Sequence, residues 1–91
     1  HTYERDVEIV NPLGIHMRPA ALFVKIASRY DSEVIVNTEG KQPIRGKSIM
    51  PLVTLCAEYG AKLHIKVSGN GDAHECFSEL VALVESGFGE K

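Results

Sequence analysis

The chain has 91 residues, 44% of them hydrophobic and 24% charged, with a formal net charge of −2. This length supports one domain over residues 1–91 with a single modest core, and the composition is that of an ordered globular chain rather than a disordered one. No basic excess exists to neutralise a nucleic-acid backbone, and no apolar run reaches membrane-spanning length, so neither nucleic acid nor membrane insertion is expected. The chain opens on His1 rather than Met, which reads as a processed or expression-derived start without bearing on function.

From about Tyr3 to Val10 polarity alternates, with Tyr3, Val7 and Ile9 on one side and Glu4, Asp6 and Glu8 on the other, which predicts a strand with one wet face. Asn11-Pro12-Leu13-Gly14 is a loop. Met17 to about Arg29 predicts a helix, since Ala20, Phe23, Val24 and Ala27 repeat at helical spacing and Pro19 falls in the first turn. His16 then stands at or beside the N-cap. Glu33–Thr38 is a β-rich run, Glu39-Gly40 a turn, and Lys41–Arg45 its return, with Pro43 implying an edge strand. A second helix opens at Ser48 as N-cap, carries Ile49, Leu52, Val53, Cys56 and Ala57 on its apolar stripe, and stops at Tyr59-Gly60. Lys62–Ser68 alternates as a strand, Gly69-Asn70-Gly71 turns, and Asp72 caps a last helix to about Ser86, stopped by Gly87. The order is βαββαβα, with polar alternate positions implying helices on one face of the sheet and solvent on the other.

Charge is unevenly spread. Ile9 to Tyr30 holds no acid but includes His16, Arg18, Lys25 and Arg29, and a second basic cluster follows at Lys41, Arg45 and Lys47. Such a surface favours an anionic group or an acidic partner. Cys56 and Cys76 lie in apolar helical patterns and form no C-x-x-C pair, so buried thiols in a reducing compartment are expected. No metal site is expected, because His64 falls on a wet strand face and no ligand pair has structural-zinc spacing.

Asn11-Pro12-Leu13-Gly14-Ile15-His16-Met17-Arg18-Pro19-Ala20-Ala21 places an imidazole, a guanidinium and the free N–H groups of a helix start in one small volume. That volume suits a phosphate. A phosphoryl group in transit needs a nucleophile that is neutral near pH 7 and leaves well afterwards. Imidazole, with an ordinary pKa of about 6.5, is such a group. The helix start contributes about 0.3–1 kcal/mol toward an exposed anion, and Arg18 adds a planar donor fork. A histidine here can also serve merely as a cap; the Gly-x-His-x-Arg-Pro combination in an acid-free stretch argues for chemistry.

This segment resembles the active-site signature of HPr, the histidine-containing phosphocarrier of the phosphoenolpyruvate-dependent sugar phosphotransferase system. Gly46-Lys47-Ser48-Ile49-Met50 resembles the family's second signature, around its regulatory serine, and the likeness runs over nearly the whole chain. The resemblance implies an α+β open-faced β-sandwich, a four-stranded antiparallel sheet with three helices on one face. It implies that phosphorylated enzyme I passes its phosphoryl group to Nδ1 of His16 with Arg18 assisting, and that the group goes on to enzyme II A domains for sugar uptake. It further implies regulatory phosphorylation of Ser48 by an HPr kinase/phosphorylase where one exists, a docking patch of Met17, Leu22, Lys25, Lys47, Ile49 and Met50, a transcriptional regulator as a further partner, and a cytoplasmic monomer that is no enzyme and carries no cofactor. Pro51 stands where the family often has glycine or a polar residue and removes one N–H from the Ser48 cap. The ending Val84-Glu85-Ser86-Gly87-Phe88-Gly89 resembles the nitrogen-related branch, which would make this a regulatory phosphocarrier controlling partner proteins instead of sugar transport. A small enzyme using His16 as general acid or base is the remaining alternative, for which so short a chain leaves little room for a substrate pocket.

Overall fold

Period-two alternation sets the sheet. In strand β4 (Lys62–Ser68), Leu63, Ile65 and Val67 are completely buried while Lys62 and Lys66 face solvent. β4 is central: it pairs antiparallel with β1 (Thr2–Glu8) on one side and β2 (Glu33–Thr38) on the other, and β2 carries the short edge strand β3 (Ile44–Arg45), giving the order β1-β4-β2-β3. Helices α1 (Met17–Ala27), α2 (Ile49–Thr54) and α3 (Ala73–Glu85) complete the predicted βαββαβα order, and a turn at Gly87–Gly89 follows. The computed structural model describes residues 1–90.

The three helices cover one face of the sheet. Phe23 and Ala20 of α1, Leu52 of α2 and Leu80 and Val84 of α3 meet Val7, Val34, Val36, Leu63 and Ile65 from the strands in one buried cluster. The opposite face is a ladder of charge. The register sets Glu4, Asp6 and Glu8 of β1 opposite Lys66, His64 and Lys62 of β4. His64 Nδ1 lies 2.7 Å from Asp6 Oδ1 and its Nε2 2.9 Å from Glu4 Oε1. Its pKa is raised: the Asp6 hydrogen bond acts most strongly, desolvation opposes it, and Glu4 adds to the rise.

Several element ends differ from the sequence-based expectation. The return strand of the hairpin shrinks from Lys41–Arg45 to Ile44–Arg45, because Pro43 has no N–H for the ladder and the Lys41 N–H closes a turn on the Thr38 carbonyl. The second helix stops at Thr54, not at Tyr59-Gly60. There Cys56 donates its N–H to the Val53 carbonyl and adopts a left-handed φ of 56°, which turns the chain out of the helix. Cys56 is consequently exposed rather than on a buried stripe, whereas Cys76 is buried as expected.

Asp72 and Ser48 occupy N-cap positions, but neither side chain caps its helix. The Asp72 carboxylate turns to the α1–β2 connection, accepting from Ser32 Oγ and from the Asp31 N–H at 2.9 Å. For Ser48, Pro51 at the third helical position deletes one of the two amides that a cap side chain ordinarily reaches. The same spacing recurs at α1, where Pro19 follows His16 by three and His16 makes no capping bond either.

A carboxylate-filled site at the start of the first helix

The loop before α1 is fixed by a buried amide. Asn11 is fully buried, and its Nδ2 donates to the Gly14 carbonyl at 2.7 Å. Gly14 has φ +68°, and a Cβ there would lie 2.5 Å from the Ala57 carbonyl oxygen, so the loop packs directly against the segment leaving α2. The Ile15 N–H donates to that same carbonyl at 2.9 Å, and the Ile15 side chain is buried. The next residue, His16, is thereby delivered to the surface in extended conformation at the N-cap of α1, with its side chain 38% exposed. The turn at Cys56 and the bend at Gly14 thus form one joint that orients the histidine.

Pro19 removes one of the free amides of the helix start, leaving the N–H groups of Met17 and Arg18 without intrahelical acceptors. The expected convergence of imidazole and guanidinium is present, and a third group joins it. Glu90 places its carboxylate between them: His16 Nε2 lies 3.1 Å from each of its oxygens, Arg18 NH1 donates to Oε2 at 3.0 Å, and Asn11 Nδ2 donates to Oε1 at 3.0 Å. Arg18 NH1 also reaches the Phe88 carbonyl at 3.3 Å. Desolvation works against the charge on Glu90, but the bonds from Asn11, His16 and Arg18 together outweigh it and hold its carboxyl below the ordinary range. The site therefore already binds an anion, contributed by the chain itself. Among the described residues, Nδ1 of His16 has no hydrogen-bond partner.

Glu90 arrives by an unusual route. Gly87, Phe88 and Gly89 all have left-handed φ, at 71°, 55° and 75°. Phe88 is held in that conformation with its ring 1% exposed in the core, and the reversal carries the following residue back to α1. Sequence reasoning missed both Glu90 and the part played by Asn11. The only signal for the first was a Gly-Phe-Gly run after a helix stop, which marks a reversal but not its direction.

The other expected site residues are distributed as follows. Arg18, Leu22 and Lys25 stand at i, i+4 and i+7 of α1 and share a face, with Leu22 half-buried and Lys25 exposed. Met17 and Met50 are both more than half exposed, at 55% and 62%, on helices that pack against each other. Ser48 is exposed, and Ile49 is partly buried against the core. Lys47 is placed differently from the rest: half-buried, with Nζ 2.6 Å from the Tyr30 carbonyl oxygen, it is committed to the connection that follows α1. Leu13 and Tyr59, exposed on the two connections joined by the Ile15–Ala57 bond, extend the apolar surface beyond what the sequence indicated. His74 packs edge-on against Tyr3 with ring centroids 5.2 Å apart, and among the described residues no three His, Cys, Asp or Glu side chains are grouped to hold a metal ion.

Comparison with known proteins identifies the family. The family described as PTS HPr component phosphorylation site matches residues 3–86. The phosphocarrier protein HPr of Pseudomonas aeruginosa is 38% identical over 85 residues, covering 93% of each chain. The HPr-like protein Crh of Halalkalibacterium halodurans is 38% identical over 82 residues, covering 90% of this chain and 95% of its own. The solved structure of HPr from Thermoanaerobacter tengcongensis superposes with a TM-score of 0.89 at 39% identity over 98% of both chains. The chain belongs to the HPr phosphocarrier family. Among its described residues, no helix is long and apolar enough to cross a membrane.

Proposed function

We propose that the protein carries a phosphoryl group on His16, receiving it from phosphorylated enzyme I and delivering it to an enzyme II A domain. The observation that carries this reading is the convergence of His16 and Arg18 on one carboxylate at the start of α1, with Nδ1 of the ring unbonded among the described residues. In the transfer, the Nδ1 lone pair forms a bond to phosphorus as the bond from phosphorus to the donor atom breaks, and the donor keeps that electron pair. The oxygens of the arriving group meet the Met17 and Arg18 amides and the remaining N–H groups of the guanidinium, which carries five donors in all. The interactions are surface-exposed and individually modest, about 0.3–1 kcal/mol for the helix start. That suits a carrier, since a tightly held group would not be passed on.

Partner docking on this reading uses Met17, Leu22 and Lys25 of α1 with Met50 and the partly buried Ile49 of α2, two helices packed against each other. Unbranched, polarisable Met side chains fit several unrelated surfaces. Lys47 is left out of this patch because its ammonium is engaged at Tyr30. Ser48 is exposed at the edge of the same region, so phosphorylation there would place about −1.5 to −2 charges on a face meant for an acidic partner. The choice between the sugar branch and the regulatory nitrogen branch turns on partners. Incubation with phosphoenolpyruvate and enzyme I tests the shared core of both: the protein must gain an acid-labile phosphate, and His16→Ala must abolish it. An acid-stable phosphate, or an equal yield from H16A, refutes the reading.

A further inference from the structure

The family match ends at residue 86, yet residue 90 takes part in a polar convergence at the start of α1. Three donors from two separate elements, Asn11 from the loop, His16 and Arg18 from the helix start, meet on the Glu90 carboxylate. The carboxylate is only 16% exposed. It is delivered there by three consecutive left-handed residues and anchored by the buried Phe88 ring. That combination of a backbone reversal, a buried anchor and three donors defines one position for the carboxylate.

We propose that Glu90 is a positioning residue that selects which nitrogen of His16 reacts. An ionised carboxylate only accepts hydrogen bonds, so the nitrogen facing it must carry the proton. Nε2 therefore bears the hydrogen, and Nδ1 is left with the free lone pair on the side of the ring where, among the described residues, no partner stands. Glu90 acts twice through this one contact: it fixes the tautomer, and it covers Nε2 against an incoming phosphorus atom. When Nδ1 attacks, the ring gains positive charge while Nε2 keeps its proton, and the carboxylate already in place at 3.1 Å stabilises that charge. No proton needs to leave the ring during transfer. Asn11, buried and doubly bonded through Nδ2 to Gly14 and Glu90, holds the carboxylate in register with the loop.

The inference rests on the phosphocarrier reading, and its test needs no enzyme partner. Potassium phosphoramidate is the probe: its nitrogen–phosphorus bond breaks, ammonia departs, and the phosphoryl group is left on a ring nitrogen. The two phosphohistidine isomers are distinguished by ³¹P and ¹⁵N NMR. The wild-type chain should give the Nδ1 isomer alone. Glu90→Ala should give a mixture containing the Nε2 isomer, and Glu90→Gln, which keeps an acceptor oxygen, should restore most of the Nδ1 preference. In parallel, ¹⁵N shifts of the unmodified ring should report Nε2–H in the wild type and a shift in tautomer ratio of about tenfold in E90A, the size expected on losing one charge-assisted hydrogen bond. An unchanged isomer and tautomer distribution in E90A, or a wild-type ring protonated on Nδ1, overturns the inference. If His16 resists phosphorylation by phosphoramidate while the tautomer still responds to E90A, the carrier reading fails and the positioning role stands.

Discussion

Phe88 is the residue on which stability and site geometry depend together, and its replacement tests both. Its ring is 1% exposed, and its backbone sits at φ 55°, ψ 24°. The left-handed conformation costs an L-residue about 1–2 kcal/mol, and burial of the ring offsets this. Phe88→Ala keeps the backbone cost and loses the ring, so it should destabilise the protein by about 3–5 kcal/mol. For a chain of this size that corresponds to a fall in Tm of at least about 12 °C. Phe88→Gly loses the same ring but relieves the strain, so it should be more stable than F88A by about 1 kcal/mol, the reverse of the order found in helices. Chemical and thermal denaturation of the two variants beside wild type gives both differences. A cost below about 1 kcal/mol for F88A, or F88A more stable than F88G, refutes the account of the turn, since either result would mean the ring is not packed or the backbone not left-handed.

Arg18→Ala should slow phosphoryl acceptance about tenfold or more, the effect of losing a charge-assisted contact, while stability changes by no more than about 1 kcal/mol because the Arg18–Glu90 pair is largely exposed on the arginine side; normal transfer kinetics would refute the assigned contact. Ser48→Asp should weaken the reaction with enzyme I at low salt and less so at high salt, with stability within about 1 kcal/mol of wild type since no capping bond is lost; an unchanged low-salt rate would count against Ser48 lying on the docking face. His64 is held with a raised pKa chiefly by Asp6, so its ion pairs stabilise the fold fully below the unfolded histidine pKa of about 6.5, and that contribution is lost as pH rises through the higher folded value. Urea unfolding from pH 6 upward should show this decline, with Glu4, Asp6, Lys62 and Lys66 as its charged neighbours, and His64→Gln should flatten it. Iodoacetamide at neutral pH should alkylate exposed Cys56 and spare Cys76, whose thiol burial pushes up to about 11; labelling of Cys76 in the native protein would contradict its packing.

The parts of this molecule that were legible in its sequence are those set by local periodicity. β1, β4, α1 and α3 follow directly from alternation and helical spacing, because each has one face that must be buried. The meeting of His16 and Arg18 was legible for the same reason: two residues apart at a helix start, they need no tertiary information to converge. What escaped depends on contacts distant in sequence. α2 ends five residues early because Cys56 turns left-handed to bring Ala57 to Ile15, and no pattern within the helix records a partner some forty residues upstream. Asp72 and Lys47 were assigned to a cap and a docking patch, yet each is spent on the chain end between α1 and β2. Glu90 lies 74 residues from the ring it bonds. Its role requires knowing that the Gly87–Gly89 turn folds back, which spacing alone does not encode.

Proline at the third position of both α1 and α2 has a consequence for reversibility. In an ordinary helix a side chain at the cap is tethered to the backbone, and esterifying or phosphorylating it tears out a bond that the fold relies on. Here His16 and Ser48 hold no such tether. On the proposed function, a phosphoryl group would arrive at or leave either one while the helix behind it stays as it was, and whatever reads such a mark would sense charge at the surface rather than a change of shape.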